Sequence, residues 1–236
     1  SSQFAKAAEL AEWKKLWHPR GASGPGPIKR GLGIGVCSWG GAGHDSKCEA
    51  LIHPDGSVEV KLGSQDLGTG TRTIITMVAA ETLGLPMGAI KLMIGDNRYP
   101  PSGASGGSTT VGGVSSSTRK ATMNALHKLF EVVAPALGTE ADQLEAADGK
   151  IQVKGSPAKA LTWRAACRKL GTKTISEMGH NNPQDPGGLN TGGVGGVQIA
   201  DVSVDVETGV ARMNRLVAVQ DCGLIINPKT AESQVY

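Results

Sequence analysis

Aromatic side chains are scarce in this chain, at 3% of 236 residues. A core with so few rings takes its volume from Val, Ile, Leu and Ala. Charge of one sign is also scarce: the net charge is +3, with the basic residues scattered, which argues against a nucleic-acid or membrane-surface partner. Cys37, Cys48, Cys167 and Cys222 form no CxxC pair and have no His at ligand spacing. Neither structural zinc nor a disulfide framework is expected, and the reading is free, buried thiols in a reducing compartment. His44, His53, His127 and His180 likewise lack metal-ligand spacing and read as solvated or capping side chains. No apolar run approaches the ~18 residues of a membrane span. The opening "SSQFAKAAELAEWKKLW" has no apolar h-region of the kind a signal peptide needs. It reads as an amphipathic helix with Phe4, Leu10, Trp13 and Trp17 along one side.

Glycine is plentiful, with 34 residues, so many backbone positions are open to unusual dihedrals. After a Pro/Gly linker, "HPRGASGPGPIKR", the run "GLGIGVCSWGG" reads as a small-residue strand. "KCEALI" and "SVEVKL" flank the turn "HPDG" as a hairpin. Residues 71–86 read as a helix stopped by Gly84 and Pro86, and "AIKLMIG" as a buried strand. A long helix is expected over Val114–Val133, ending before Pro135. A weaker stretch, 136–196, holds a strand "KIQV", a helix over Trp163–Leu170 and the loop "HNNPQDPGGLNTGGVGG". A second hairpin, "VQIADVSVDV" and "VARMNRLVAV" about "ETG", follows. The pattern predicts an α+β fold, mixed and antiparallel sheets with helices packed on one face. Residues 1–29 form a leading helix and linker. Residues 30–236 form the main domain, with a hint of two related units near 30–150 and 151–236 but no fixed repeat period.

Two loops carry chemistry. In "QDLGTGTRT", Gln65 to Thr73, two glycines and three threonines sit between a strand and a helix. Unpaired amides and the positive end of a helix dipole make such a place receptive to an anion; Thr71 or Thr73 as a simple N-cap is the alternative. "PSGASGGSTTVGG" repeats the arrangement, with Ser105, Gly106, Gly107, Ser108, Thr109 and Thr110 before the long helix; a flexible linker is the alternative there. Arg72 and Arg98 stand beside the loops and are candidates to pair with phosphate. Neither loop matches GxxxxGK[ST], and "GLGIG" lacks the spacing of a dinucleotide fingerprint.

Three runs in series, "PDGSVEVKLGSQDLGTGTRTIITMVAAETLGLP", "IGDNRYPPSGASGGSTT" and "DVSVDVETGV…VQDCGLIINPKTAESQ", resemble the molybdopterin-binding subunit of the xanthine dehydrogenase/aldehyde oxidase family. Within that family the bacterial aldehyde oxidoreductases with a separate molybdenum subunit are the nearest branch. The resemblance covers about 30–236. It implies a molybdenum cofactor-binding domain, with the cofactor expected in a dinucleotide form. It also implies that Gly68, Thr69, Gly70, Thr71 and Thr73 of the first loop, and Ser105, Gly106, Gly107, Ser108, Thr109 and Thr110 of the second, hold the pterin and its pyrophosphate. Thr69 stands where many members have Gln, so a long side-chain amide is missing there. The stretch holding Asp221, Asn227, Pro228 and Gln234 matches a mostly structural segment, with Asn227-Pro228 as a turn.

The activity implied is hydroxylation of an aldehyde or heteroaromatic carbon with water as the oxygen source. Electrons would pass to iron–sulfur clusters and FAD on partner domains or subunits. The family's general-base glutamate motif falls outside the matching region. Glu81 and Glu177 read as solvated carboxylates, so no catalytic residue and no metal ligand is assigned. The chain is therefore expected to be the interior of a larger subunit and inactive alone. The cytoplasm is the expected location, with export through a partner's signal open. A non-catalytic module that binds an anion or a partner protein is the alternative reading.

Overall fold

The computed structural model describes residues 2–185 and 193–235. In chain order the elements are α1 (Ser2–Leu10), α2 (Trp13–Leu16), β1 (Ile28–Trp39), β2 (Ser46–Ile52), β3 (Val58–Leu62), α3 (Thr71–Leu83), β4 (Ile90–Ile94), α4 (Thr110–Leu137), β5 (Leu144–Ala147), β6 (Lys150–Val153), β7 (Ser156–Thr162), α5 (Trp163–Cys167), β8 (Ile175–Asn181), β9 (Val194–Asp205), β10 (Ala211–Asp221) and α6 (Pro228–Glu232). The fold is α+β with mixed and antiparallel sheets, as the sequence pattern predicts. Its two compact units are discontinuous in sequence. One draws on residues within 1–40, 192–225 and 231–236, the other on 41–191 and 226–230. This partition does not run at residues 30 and 150, because β1 pairs with β9 across the whole intervening chain.

The larger unit is built on a four-stranded sheet in the order β4-β3-β2-β8. Alternate residues of β2 (Ser46, Cys48, Ala50, Ile52) and β3 (Val58, Val60, Leu62) are buried, the period-2 signature of a sheet covered on one face. Helices α3 and α4 supply that cover through Ile75, Ala79, Leu83, Ala121, Ala125, Leu129 and Val133. The β2–β3 hairpin forms about "HPDG", whereas β3 and β4 are parallel, in register from Val58↔Ile90 to Leu62↔Ile94, with α3 as the crossover.

Strand β8 is an addition to the sequence reading. It pairs with β2 from Ser46↔Asn181 to Ile52↔Ile175, and α4 crosses it at Gly179. A Cβ there would lie 2.2 Å from both the amide nitrogen of Ala121 and the carbonyl oxygen of Ser117. Helix α4 also outruns its expected bounds. It starts at Thr110, taking in "TVGG", and passes through Pro135 to Gly138, where φ is 65°. There the amides of Gly138 and Thr139 donate to the carbonyls of Pro135 and Ala134, closing the helix as a left-handed cap does. A third sheet, β5-β6-β7, is antiparallel, and Leu144 and Ile151 carry it into the same core.

The smaller unit has the sheet β1-β9-β10. The "ETG" hairpin forms, with a bulge between Met213 and Arg215. Arg30 of β1 pairs with the buried carboxylate of Asp201 on β9. The single helix expected at the start is broken in two at Glu12, whose φ is 51°. Its buried side is Ala7 and Ala11, packed on Val197, Ile199 and Val217. Of the expected apolar stripe, Phe4, Leu10 and Trp17 are exposed and Trp13 alone packs against this cluster. Small side chains let the helix approach the sheet closely, which the larger ones cannot do. Cys48 and Cys167 are buried as expected, but Cys37 and Cys222 are exposed. Of the loop 180–196, residues 186–192 lie outside the described residues; Ile175–Asn181 and Val194–Asp205 bracket it as strands. Among the described residues, no helix is long and apolar enough to cross a membrane, and no cluster of His, Cys, Asp or Glu could hold a metal ion.

Candidate anion-binding site at the carboxyl ends of β3 and β4

The two glycine-rich loops leave the carboxyl ends of neighbouring parallel strands, β3 and β4, and each runs into the start of a helix, α3 and α4. Parallel pairing forces both exits to the same end of the sheet, the end where open α/β sheets take ligands. The loops are tied directly. The amide of Ser105 donates to Gln65 Oε1 at 3.1 Å, and the Ser105 hydroxyl donates to the Gln65 carbonyl at 3.0 Å. The second loop is also pinned along its length. The Gly63 amide donates to the Pro100 carbonyl (2.7 Å), the Gly103 amide to Asp45 (2.8 Å) and the His44 amide to Thr109 (3.1 Å). The hydroxyls of Ser46 and Ser102 lie 2.8 Å apart. A flexible linker is therefore the wrong description.

The loops differ at their helix starts. At α3 the N-cap is Gly70, and neither Thr71 nor Thr73 caps. Asp66 does the work from upstream: its carboxylate accepts the amides of Gly68 (2.9 Å), Gly70 (3.3 Å) and Arg72 (3.0 Å). The Arg72 amide and the other donated amides hold this carboxyl below its ordinary pKa. The anion expected at this helix start is thus the chain's own, and an external phosphate does not fit where Asp66 sits. Thr71 is buried, which removes it as a ligand, while Thr69 and Thr73 are exposed.

At α4 the start is open. Thr109 makes no side-chain cap, and the first turn carries no acidic residue. Gly106 to Thr109 form a turn closed by the Thr109 amide on the Gly106 carbonyl (3.3 Å), with positive φ at both Gly107 (62°) and Ser108 (59°). Those are the dihedrals of a type I′ turn. Gly106, Gly107 and Ser108 are exposed. Among the described residues, a Cβ on Gly106 or on Gly68 would meet nothing within 4 Å. Two expected ligands are engaged inside the protein: the Thr109 hydroxyl donates to the Gly106 carbonyl (2.9 Å), and Ser105 is held by Gln65. Thr110 begins the helix, half-buried. Open main chain, exposed hydroxyl and the positive end of a 28-residue helix form a donor set that suits a phosphate-bearing group.

Several neighbours escaped the sequence reading. His44 is wedged between Gly103 and Gly113, where a Cβ would lie 2.8 and 2.6 Å from its ring, and its buried Nε2 has no hydrogen-bond partner among the described residues. It is not the solvated histidine expected. Thr230 of α6 packs its methyl against Gly70, 3.3 Å from where a Cβ would stand. Asn227-Pro228 is accordingly a helix start rather than a turn, with the Thr230 hydroxyl donating to the Asn227 carbonyl. Arg98 is drawn to Asp96, whose carboxyl it holds down at about 2; Arg72 is exposed. Glu81 lies on the exposed side of α3, and Glu177 lies in β8 opposite Ala50.

Fold and site define a class: an α+β domain with two glycine- and hydroxyl-rich loops at the carboxyl ends of neighbouring parallel strands, an arrangement suited to an anionic group. A family profile described as molybdopterin cofactor-binding domain matches residues 6–236. The aldehyde oxidoreductase molybdenum-binding subunit PaoC of Escherichia coli O157:H7 is 34% identical over 224 residues, covering 93% of this chain and 29% of that protein. The carbon monoxide dehydrogenase large chain of Afipia carboxidovorans is 28% identical over 239 residues, covering 89% and 28%. Quinoline 2-oxidoreductase from Pseudomonas putida 86 superposes with a TM-score of 0.79 at 20% identity, over 99% of this chain and 30% of its own. The chain belongs to the molybdopterin cofactor-binding domain family, that of the large subunits of the xanthine dehydrogenase/aldehyde oxidase group. It spans under a third of the length of these relatives.

Proposed function

We propose that this chain is the cofactor-gripping part of a molybdenum hydroxylase that oxidises aldehydes, the activity named for PaoC. The observation that carries this reading is the contrast between the two helix starts. The α3 start is filled by Asp66, whereas at the α4 start the turn is preorganised, Thr109 makes no side-chain cap and the first helical turn carries no acidic residue. Gly106, Gly107, Ser108 and Thr110 would hold the phosphate side of the cofactor, with Thr69 and Thr73 facing it from the first loop. A dinucleotide form, with its pyrophosphate, suits so extended a donor surface. When bound, the cofactor supplies hydroxylation of an aldehyde or heteroaromatic carbon, with water as the oxygen source and two electrons delivered to iron–sulfur and flavin partners. The residues of this chain bind and orient it. Their amides need no reorganisation, because Gly63, Asp45, His44 and Gln65 already fix the loop. Asp66 is committed to amides, and no carboxylate of this chain is assigned to proton abstraction. Residues 1–236 alone are therefore expected not to oxidise aldehyde.

The test uses the full-length protein that carries this sequence, purified from its source cells, with molybdenum and oxidised-pterin fluorescence measured per polypeptide. Near-stoichiometric amounts of both are expected. A Gly106→Asp variant sharpens the test. Among the described residues a Cβ on Gly106 meets nothing within 4 Å, and the residue has no left-handed φ, so the side chain is accommodated there while its charge opposes a phosphate. Pterin content should fall on the order of tenfold, the effect of about 1.4 kcal/mol. Wild-type protein free of pterin and molybdenum would refute the reading and favour an anion- or partner-binding module without redox chemistry.

A further inference from the structure

Gln65 stands at the seam of the two loops and is satisfied on both sides of its amide. Oε1 accepts the Ser105 amide at 3.1 Å, and Nε2 donates to the Gly63 carbonyl at 3.1 Å. A donor on one side and an acceptor on the other fix which way the amide faces. The Gln65 main-chain carbonyl takes the Ser105 hydroxyl as well, so two bonds clasp residues 40 apart in sequence. Ser105 immediately precedes the Gly106–Thr109 turn, and any shift at Ser105 is passed to the amides of that turn. The next residue of the first loop, Asp66, anchors to α3. Residues 65 and 66 thus tie one loop both to its own helix and to its neighbour.

We infer that Gln65 is a positioning residue for the cofactor: through Ser105 it sets the spacing between the two loops, and with it the shape of the surface they jointly present. This rests on the cofactor reading above. Gln65 is exposed and Ser105 half-buried, so hydrogen bonds between them add little to global stability, each near the low end of the usual range. Their geometric effect is larger, because a displacement of about 1 Å at a binding surface disrupts several ligand contacts together. That difference separates positioning from general support of the fold.

The experiment compares the full-length protein with Gln65→Met, which keeps the side-chain length but not its hydrogen bonds, and with Ser105→Ala, which removes one hydroxyl. Three quantities are read: the rate at which pterin is lost from purified protein after dilution, and the thermal midpoints of cofactor-stripped and of cofactor-loaded protein. Gln65→Met should release pterin about tenfold faster, and Ser105→Ala severalfold faster, with the stripped midpoint unchanged within about 2 °C. If wild type holds pterin and Gln65→Met releases it at the wild-type rate, the inference is overturned while the cofactor reading stands. A stripped midpoint that falls as far as the loaded one also overturns it, by showing a structural role only. Wild type without pterin removes both. Should Gln65→Met fail to accumulate, Gln65→Ala, which also removes both side-chain bonds, is read by the same quantities, and wild-type retention there overturns the inference.

Discussion

Replacing Asp66 tests the claim that the α3 start supplies its own anion. In Asp66→Ala the amides of Gly68, Gly70 and Arg72 lose their acceptor together. Removing a capping side chain costs about 1 kcal/mol, up to about 2. The bonds here are charge-assisted, but Asp66 is only half-buried and water screens part of its charge. A net local loss of about 1–2 kcal/mol corresponds to roughly 5- to 30-fold faster opening. Hydrogen exchange resolved to single residues in the full-length protein should show that acceleration at Gly68, Gly70 and Arg72. Asp66→Asn should split the effect. Oδ1 serves Gly68 and Gly70, whereas Oδ2 serves Arg72, so an amide in that orientation keeps the first pair and turns an N–H toward Arg72.

The pH dependence has a definite sign. Asp66 has a lowered folded pKa, so the stabilisation is fully present above the unfolded value of about 3.9 and is lost as pH falls through the folded one. Protection of these amides, corrected for intrinsic exchange, should hold from pH 7 to pH 5 and decline only below about pH 4. Unchanged exchange in Asp66→Ala would refute the capping argument and return the α3 start to the list of places for an external anion.

Two further outcomes follow from packing. Gly179→Ala would place a Cβ 2.2 Å from backbone atoms of α4, which cannot swing aside as a side chain could. A loss on the order of 3 kcal/mol is expected, seen as a much lower thermal midpoint or absent soluble protein; a midpoint near wild type would contradict the α4–β8 packing. Burial pushes the thiols of Cys48 and Cys167 up to about 12, so both should resist iodoacetamide at pH 8 in native protein, whereas exposed Cys37 and Cys222 should be alkylated. Mass spectrometry of the labelled peptides decides, and early labelling of Cys48 would contradict the core.

The features legible in the sequence were those set by neighbours along the chain. "HPDG" and "ETG" mark the β2–β3 and β9–β10 hairpins, and Gly84 ends α3 in a left-handed conformation, each a local turn or cap signal. What escaped notice was decided across the chain. Strand β8 has an exposed outer face and a glycine where a side chain would be expected, and it becomes a strand because β2 needs an edge partner and α4 needs room. Phe4, Leu10 and Trp17 follow a helical stripe, yet Ala7 and Ala11 are the residues that dock. His44 reads as a loop histidine, because nothing local announces that two distant glycines, 103 and 113, make a slot for it. Both loops were visible as glycine-rich helix entries, but the role of Asp66 was hidden. It lies four residues before the N-cap Gly70, outside the positions where capping side chains are sought.

That hidden residue breaks a symmetry the sequence displays. Two similar loops at two helix starts would give a phosphate two comparable places, and a cofactor so held could sit in either register. With Asp66 occupying one start, an incoming anion there would have to displace a carboxylate that three amides already hold, while its charge was repelled by that carboxylate. At the other start Gly106, Gly107 and Ser108 are exposed residues, and their turn is fixed by its own Thr109 bond. The α4 start is then the favoured place by electrostatics as well as by geometry. In the proposed reading the first loop has a different part: it would present Thr69 and Thr73 from a backbone tied to Asp66, and through Gln65 it would help to set where the second loop stands. On that reading one loop would bind and the other would set its place, a division of labour resting on two adjacent side chains, Gln65 and Asp66.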